Sequence, residues 1–381
     1  MNVFIRQLTG VRFVAAAWVV LYHLQGPLNT IGLLAIPVFG DMLRVGRLGV
    51  DLFFALSGFI LTHTYLNRLG EQVHAKATVK FWWLRLARVY PVHFVMLVVA
   101  GVAVVAQARV TGKALDRDWL TPLDFGRNVL LVQEWGSDPQ RGWNLVAWSL
   151  SMEWLAYLIF PLLVLVLWQC HKRLPTAALV VVWAACLTPL VLHALTTTDA
   201  YYTGAWGSTY RILTEFTAGA VTYLIVRRLL PAEGLDPAPR VLLGANLLAW
   251  VLPLLVVAGA VFLANLPAAQ PPIAVDLNGD AEPLPPYYHL LLVPLLIAWL
   301  GALALSRGHV SRLLATRALV LGGFISYSLY MTHLVWFGLW KAAMQATGIS
   351  GGALYALALV AGVCGALGIA WLMWRFVEEP A

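Results

Sequence analysis

Charged side chains are scarce in this chain. Asp, Glu, Lys and Arg together supply 11% of its 381 residues, against about a quarter in soluble domains. Beside a hydrophobic content of 61%, that shortage excludes an ordinary water-soluble globule. Cysteine is nearly absent. Cys170, Cys186 and Cys364 fall at the edges of apolar runs or within them, with no pairing or metal-ligand spacing, so neither a disulfide framework nor a metal site is expected. Acidic residues are fewer than basic ones, 18 against 25, and the net charge is +7. The basic residues lie between apolar runs rather than in one patch, so the excess reports membrane topology and not nucleic-acid binding. The N-terminus lacks the short apolar core and small-residue cleavage site of a secretory signal, and the first apolar run is expected to be retained. There is no internal repeat, and no inverted pair of broken helices of the kind many transporters use.

What the chain does have is apolar length. Runs of about 20 residues recur, each long enough to cross a bilayer as a helix that satisfies its own backbone. The expectation is an all-α fold, a polytopic integral membrane protein forming one domain over 1–381. About ten transmembrane helices are expected, at approximately 11–27, 47–67, 89–109, 144–168, 175–195, 211–230, 241–265, 287–306, 319–342 and 352–375. The connection 68–88 carries Arg68, Lys76, Lys80, Arg85 and Arg88, and 169–174 carries Lys172 and Arg173. Arg227, Arg228 and Arg240 lie in or beside 231–240, and Arg307, Arg312 and Arg317 in 307–318. Ten alternating spans put these four connections on one side, which the positive-inside rule makes cytoplasmic together with both termini. On the other side, 266–286 holds Asp276, Asp280 and Glu282 and no basic residue. With 110–143 it is expected to cover an external cavity.

Ionisable groups inside spans are costly and mark candidate function, with a buried structural pair as the ordinary alternative. Arg12 and His23 are separated by ten mostly apolar residues. Eleven steps of about 100° make three turns plus roughly 20°, so the two side chains share a face, roughly 16 Å apart along the axis. The topology puts Arg12 at the cytoplasmic surface and His23 toward the outer side. Asp51, at the start of the second span, lies at the depth of His23 and can either orient its ring or serve as a helix-start anion. Glu153 sits roughly 14 Å into the fourth span and needs a partner, for which Arg12 and His23 are candidates. Arg211 and Glu215, four residues apart, suit a local ion pair, with Arg211 alternatively facing an external acceptor. Ser57 and Gly58 read as small residues for close helix packing.

Arg85 and Arg88 share a helical face and can grip one phosphorylated ligand with two guanidinium forks, or anchor among lipid phosphates. His333 lies in the outer half of the ninth span with Ser326, Tyr327 and Tyr330, a hydroxyl-rich cavity wall in which the histidine is either structural or catalytic. Val377-Glu378-Glu379-Pro380 reads as a helix terminus at the cytoplasmic surface. Trp135, Trp143, Tyr201, Tyr202, Trp206, Tyr287 and Tyr288 fit an interfacial aromatic belt better than a sugar platform.

Five segments occur in order along nearly the whole chain: Arg12-x10-His23, GVDLFFALSGFIL (49–61), RLARVYP (85–91), WSLSMEW (148–154) and ISYSLYMTH (325–333). Together they resemble the acyltransferase-3 family of integral membrane O-acyltransferases. The resemblance implies a ten-helix fold that moves an acyl group, usually acetyl from acetyl-CoA, to a hydroxyl of a sugar or other cell-surface molecule. It places the family's essential Arg-x10-His pair on Arg12 and His23 and its RxxR pair on Arg85 and Arg88. It also implies a bacterial inner-membrane enzyme without a metal, resembling members that lack a fused periplasmic hydrolase-like domain. A glycan acceptor such as an exopolysaccharide or O-antigen is expected, with polysaccharide-assembly proteins as possible partners. Asp51 or Glu153 would then support His23 as general base, and His333, Arg211, Glu215 and Tyr330 would support the acceptor side. The rival reading is a transporter or flippase in which the same buried ions form a proton relay, against which the missing inverted repeat counts.

Overall fold

The computed structural model describes residues 5–111, 121–136, 143–196, 207–230, 236–266, 273–275, 281–283 and 287–380. Within them the chain forms α1 (Arg6–His23), α2 (Gln25–Thr30), α3 (Phe39–Arg44), α4 (Leu48–Leu69), α5 (Ala75–Thr111), α6 (Pro122–Val129) and α7 (Ala147–Arg173). There follow α8 (Thr176–Thr196), α9 (Gly207–Leu229), α10 (Pro239–Ala264), α11 (Val293–Leu305), α12 (His309–Leu314), α13 (Arg317–Thr347) and α14 (Gly352–Met373). A hairpin of β1 (Ile273–Val275) and β2 (Ala281–Pro283) is the one departure from helix and turn among the described residues.

Each expected span overlaps a helix, and the long helices alternate in direction. Gln7 at the start of α1 donates to the Leu303 carbonyl at the end of α11 (3.0 Å). Arg227 near the end of α9 donates to Asn67 near the end of α4 (3.0 Å), and Arg228 to the His171 carbonyl near the end of α7. At the opposite end, the last residue of α1, His23, meets His333 of α13, and Ser208 at the start of α9 donates to Glu134 (2.6 Å).

Among the described residues, seven helices are long and apolar enough to cross a membrane: α4, α5, α7, α8, α10, α13 and α14 with its following turn. The chain is therefore a helical integral membrane protein. α1, α9 and α11 fall outside that set. α11 is short, and α1 and α9 carry charges, Arg6 and Arg12 in one and Arg211, Glu215, Arg227 and Arg228 in the other. Their neighbours shield them. α1 packs on α13 and α4, and α9 on α4, α8 and α11. The most apolar window is 72% buried in α4 and 61% in α13, against 22% in each of α8, α10 and α14, so the polar helices lie inside and the uniformly apolar ones outside. α1 is wedged between two apolar clusters, giving Leu8, Val11, Ala15 and Val19 to one and Ala16 and Val20 to the other.

Glycine sets the closest contact. A Cβ on Gly58 would lie 1.9 Å from the Phe216 carbonyl oxygen, and one on Gly219 would lie 1.9 Å from that of Ala55. α4 and α9 thus meet backbone to backbone, the small-residue packing expected of Gly58. Three expectations change. α5 begins at Ala75 rather than near residue 89 and passes through Pro91, so Lys76, Lys80, Arg85 and Arg88 lie on a helix and not in a connection. A proline inside a membrane helix is tolerated where neighbouring groups satisfy the freed backbone. Arg12 is half-buried inside the bundle rather than at its surface, beside two carboxylates. The chain after α14 makes a single π-helical turn, Trp374–Glu378, whose last residue points inward rather than ending at the surface.

Candidate active site

Two polar clusters lie along α1, one at each of its marked residues. At His23 the partner is another histidine. His333 is fully buried, its Nδ1 lies 2.7 Å from the Tyr330 carbonyl, and its Nε2 lies 3.1 Å from His23 Nδ1. A carbonyl only accepts, so His333 Nδ1 carries the proton of that first bond. In a neutral ring its Nε2 is then an acceptor, and His23 Nδ1 must donate to it. The consequence falls on the far side of His23: its Nε2 bears a lone pair and no proton. Tyr330 is used twice, its carbonyl fixing His333 and its hydroxyl bonding Ser149 Oγ (2.8 Å) and the Val146 carbonyl (3.1 Å) at the start of α7. On the other flank Arg47 donates to the hydroxyl of Tyr22, and its guanidinium stands 5.1 Å from that ring's centre.

At Arg12 the cluster combines three arginines and two carboxylates. Glu153 Oε1 accepts from Ser57 Oγ and from Tyr157 Oη, both at 2.5 Å. Arg12 stands within electrostatic range of Arg88, Glu378, Glu153 and Tyr157. Arg85 lies 5.8 Å from the ring centre of Tyr65, and its Nε is buried without a hydrogen-bond partner among the described residues. Arg88 leaves 44% of its side chain exposed, 4.0 Å from Glu378 Oε1. Tyr327 ties α13 to α5 by donating to the Val89 carbonyl (2.6 Å). The arrangement provides cationic donors for an anion at one end of α1 and an unprotonated imidazole nitrogen at the other.

Asp51 and Glu153 do not orient His23. Asp51 is sealed with Arg211, which donates to its two oxygens at 2.6 Å and 2.5 Å, and Arg211 Nε also lies 3.6 Å from Glu215 Oε1. All three side chains are fully buried, and the guanidinium stands 5.2 Å from the centre of the Trp148 ring. A carboxylate held bidentately by a guanidinium has its strongest donors already in place, so the ring-orienting role falls to His333. Burial likewise removes Arg211 and Glu215 from any exposed acceptor surface. Glu153 belongs to the arginine cluster, where, of its two candidate partners, Arg12 and not His23 is the charged neighbour.

Sequence reasoning passed over Tyr157, although it stands four residues after Glu153 and so on the same face. It also assigned Glu378 to the surface, although its side chain turns inward to within 4.0 Å of Arg88. Trp135 donates to the Ser151 carbonyl (3.1 Å) and Trp143 packs on Phe125 at 4.9 Å, so both are committed to internal packing. Tyr201, Tyr202, Trp206, Asp276 and Asp280 lie outside the described residues, as do the side chains of Glu282, Tyr287 and Tyr288. No group of three or more metal-ligating side chains occurs among the described residues.

A protein-family model described as an acyltransferase domain, Acyl_transf_3, matches residues 5–375. The chain is similar to the acyltransferase MdmB of Streptomyces mycarofaciens, 31% identical over 219 residues, which cover 54% of this chain and 52% of that protein. It is also similar to a putative O-acetyltransferase of Staphylococcus aureus, 25% identical over 177 residues (45% of this chain, 26% of the relative). To the peptidoglycan O-acetyltransferase OatA of Listeria monocytogenes it is 28% identical over 180 residues (45% and 26%). The chain thus spans about half the length of the first of these curated relatives and about a quarter of the other two. No solved structure matches.

Proposed function

This chain belongs to the Acyl_transf_3 family of acyltransferase domains, and from that premise we propose that it is a membrane O-acyltransferase. It takes acetyl from cytoplasmic acetyl-CoA and delivers it to a sugar hydroxyl of an extracytoplasmic or lipid-linked polysaccharide. In this reading residues 1–381 act as one transmembrane domain of the bacterial inner membrane, with both termini cytoplasmic. Polysaccharide-assembly proteins bring the acceptor. Its similarity to an acyltransferase and to O-acetyltransferases supports acyl and acetyl transfer to oxygen. The observation that carries the mechanism is the bond from His23 to His333 (3.1 Å), which leaves His23 Nε2 free to accept a proton.

Arg12, Arg85 and Arg88 hold the donor phosphates. The pantetheine arm extends along α1, and the thioester reaches His23 roughly 16 Å further on. His23 Nε2 takes the proton of the acceptor hydroxyl as its oxygen attacks the thioester carbonyl. The tetrahedral intermediate collapses, the C–S bond breaks, and the imidazolium returns the proton to the departing thiolate. His333 acts through His23 by holding its tautomer, the part a carboxylate plays in hydrolase triads. Asp51, Arg211 and Glu215 hold α4 to α9, while Glu153 balances the charge of Arg12.

The test is acetylation itself. Purified protein in detergent with acetyl-CoA should release free thiol when a cell-surface glycan fraction is added, and the glycan should gain the mass of an acetyl group. A transporter or flippase of the same substrates would release none, and that result would overturn the reading.

A further inference from the structure

Of the two carboxylates in the arginine cluster, Glu378 comes within 4.0 Å of an arginine and stands on the last turn of the described chain. Glu378 closes the π-helical turn after α14, a rare geometry that recurs at functional sites. Its side chain is only 6% exposed. The next residue, Glu379, turns outward to pair with Arg375 on the surface. Two adjacent acids are thus divided, one facing water and one facing the bundle.

Inside, Glu378 is anchored by a hydroxyl and not by an arginine. Its Oε2 accepts from Ser328 Oγ of α13 at 2.8 Å, whereas its Oε1 stands 4.0 Å from Arg88, at the outer limit of an ion pair. The structural pair in this protein looks different: Asp51 and Arg211 meet at 2.5–2.6 Å through two bonds, both side chains fully buried. Arg12 and Arg88 repel one another within electrostatic range, and the cluster's other carboxylate, Glu153, already accepts from Ser57 and Tyr157. Arg88 leaves 44% of its side chain uncovered by protein. A phosphate offers three acceptor oxygens and up to two charges to the same guanidinium groups and is the stronger ligand for them.

We propose that Glu378 is an internal counter-ion of the donor site, which holds Arg12 and Arg88 together in the empty protein and gives way when a donor phosphate binds. The exchange rests on the donor site of the preceding section and adds a control to it. The bundle keeps its two guanidinium groups assembled without a ligand, and donor binding is read out as release of the turn after α14.

The experiment titrates the full chain in detergent with CoA by calorimetry and measures thermal unfolding with and without CoA. Glu378→Gln keeps the shape and removes the charge. It should bind CoA about fivefold more tightly, the effect of removing one partly screened repulsion. It should also melt lower than wild type without ligand, with the gap closing at saturating CoA. Ser328→Ala, which frees the carboxylate from its anchor, should move both readouts in the same direction by less, and Glu379→Gln should move neither. Equal or weaker CoA binding by Glu378→Gln would overturn the proposal and make Glu378 a residue that positions the arginines for the donor. If wild type binds no CoA, the donor assignment itself fails, and pyrophosphate tests the exchange alone: tighter binding by Glu378→Gln upholds it and equal binding refutes it.

Discussion

Replacing His333 by alanine would remove the acceptor that His23 Nδ1 now uses at 3.1 Å and open a cavity beside the ring where His333 is now fully buried. A buried donor without a partner costs about 1–3 kcal/mol. The His23 ring can avoid that cost by turning or by moving its proton to Nε2, and either escape removes the lone pair that receives the acceptor's proton. At about 1.4 kcal/mol per factor of ten, the penalty corresponds to a loss of about five- to 150-fold in the rate of transfer. The loss should appear in kcat, because His333 sits at the end of α1 away from the arginines, and the KM for acetyl-CoA should change by less than about twofold. The assay is thiol release from acetyl-CoA at saturating acceptor, with CoA binding measured in parallel to show that the fold survives. His333→Gln separates hydrogen bonding from packing. Its amide oxygen can accept from His23 Nδ1–H while its amide nitrogen donates, so it should recover part of the rate, whereas His333→Leu, of comparable bulk and no acceptor, should not. A kcat for His333→Ala within twofold of wild type, or equal rates for the Gln and Leu variants, would refute the tautomer argument.

The other clusters make separate predictions. Arg85→Ala together with Arg88→Ala should raise the KM for acetyl-CoA by at least about tenfold, since hydrogen bonds to charged groups contribute about 1.5–3 kcal/mol each. The wild-type KM should rise with salt and that of the double variant much less, as initial rates from 50 to 500 mM salt would reveal. Asp51→Asn should destabilise the protein by about 3–5 kcal/mol, because it leaves the Arg211 guanidinium buried without its bidentate partner. Thermal unfolding in detergent would show this as a lowered midpoint, while the molecules that remain folded should keep their KM for the donor. Gly58→Leu should prevent α4 and α9 from meeting, as even a Cβ there falls 1.9 Å from a carbonyl oxygen, and size-exclusion chromatography should show aggregate in place of a monodisperse peak.

Much of this architecture is written in single-residue periodicity. The shared face of Arg12 and His23 follows from eleven steps of one helix, and the apolar runs follow from the cost of exposing backbone to lipid. The i, i+4 contact of Arg211 with Glu215 was legible for the same reason. What sequence could not display was which long-range partner each buried ion would choose. Asp51 lies at the depth of His23, yet depth says nothing about azimuth, and the glycine contact between α4 and α9 brings Asp51 to Arg211 instead. The local sequence left His333 either structural or catalytic, because its partner is 310 residues away in sequence. Glu378 was hidden by position: acids just after a helix usually face solvent, and only the π turn sends this one inward. In α5 the apolar run marked only the later part of the helix, whose charged first turns begin at Ala75.

The most direct test of the account is one pair of measurements on His23→Ala: thiol release from acetyl-CoA with acceptor present, and CoA binding by calorimetry. The account predicts that release falls to background while CoA binds within about threefold of wild type, since the arginines that hold the donor lie roughly 16 Å down the helix. Near-normal turnover in that variant, or loss of CoA binding together with turnover, would contradict the assignment of base and donor site to opposite ends of α1.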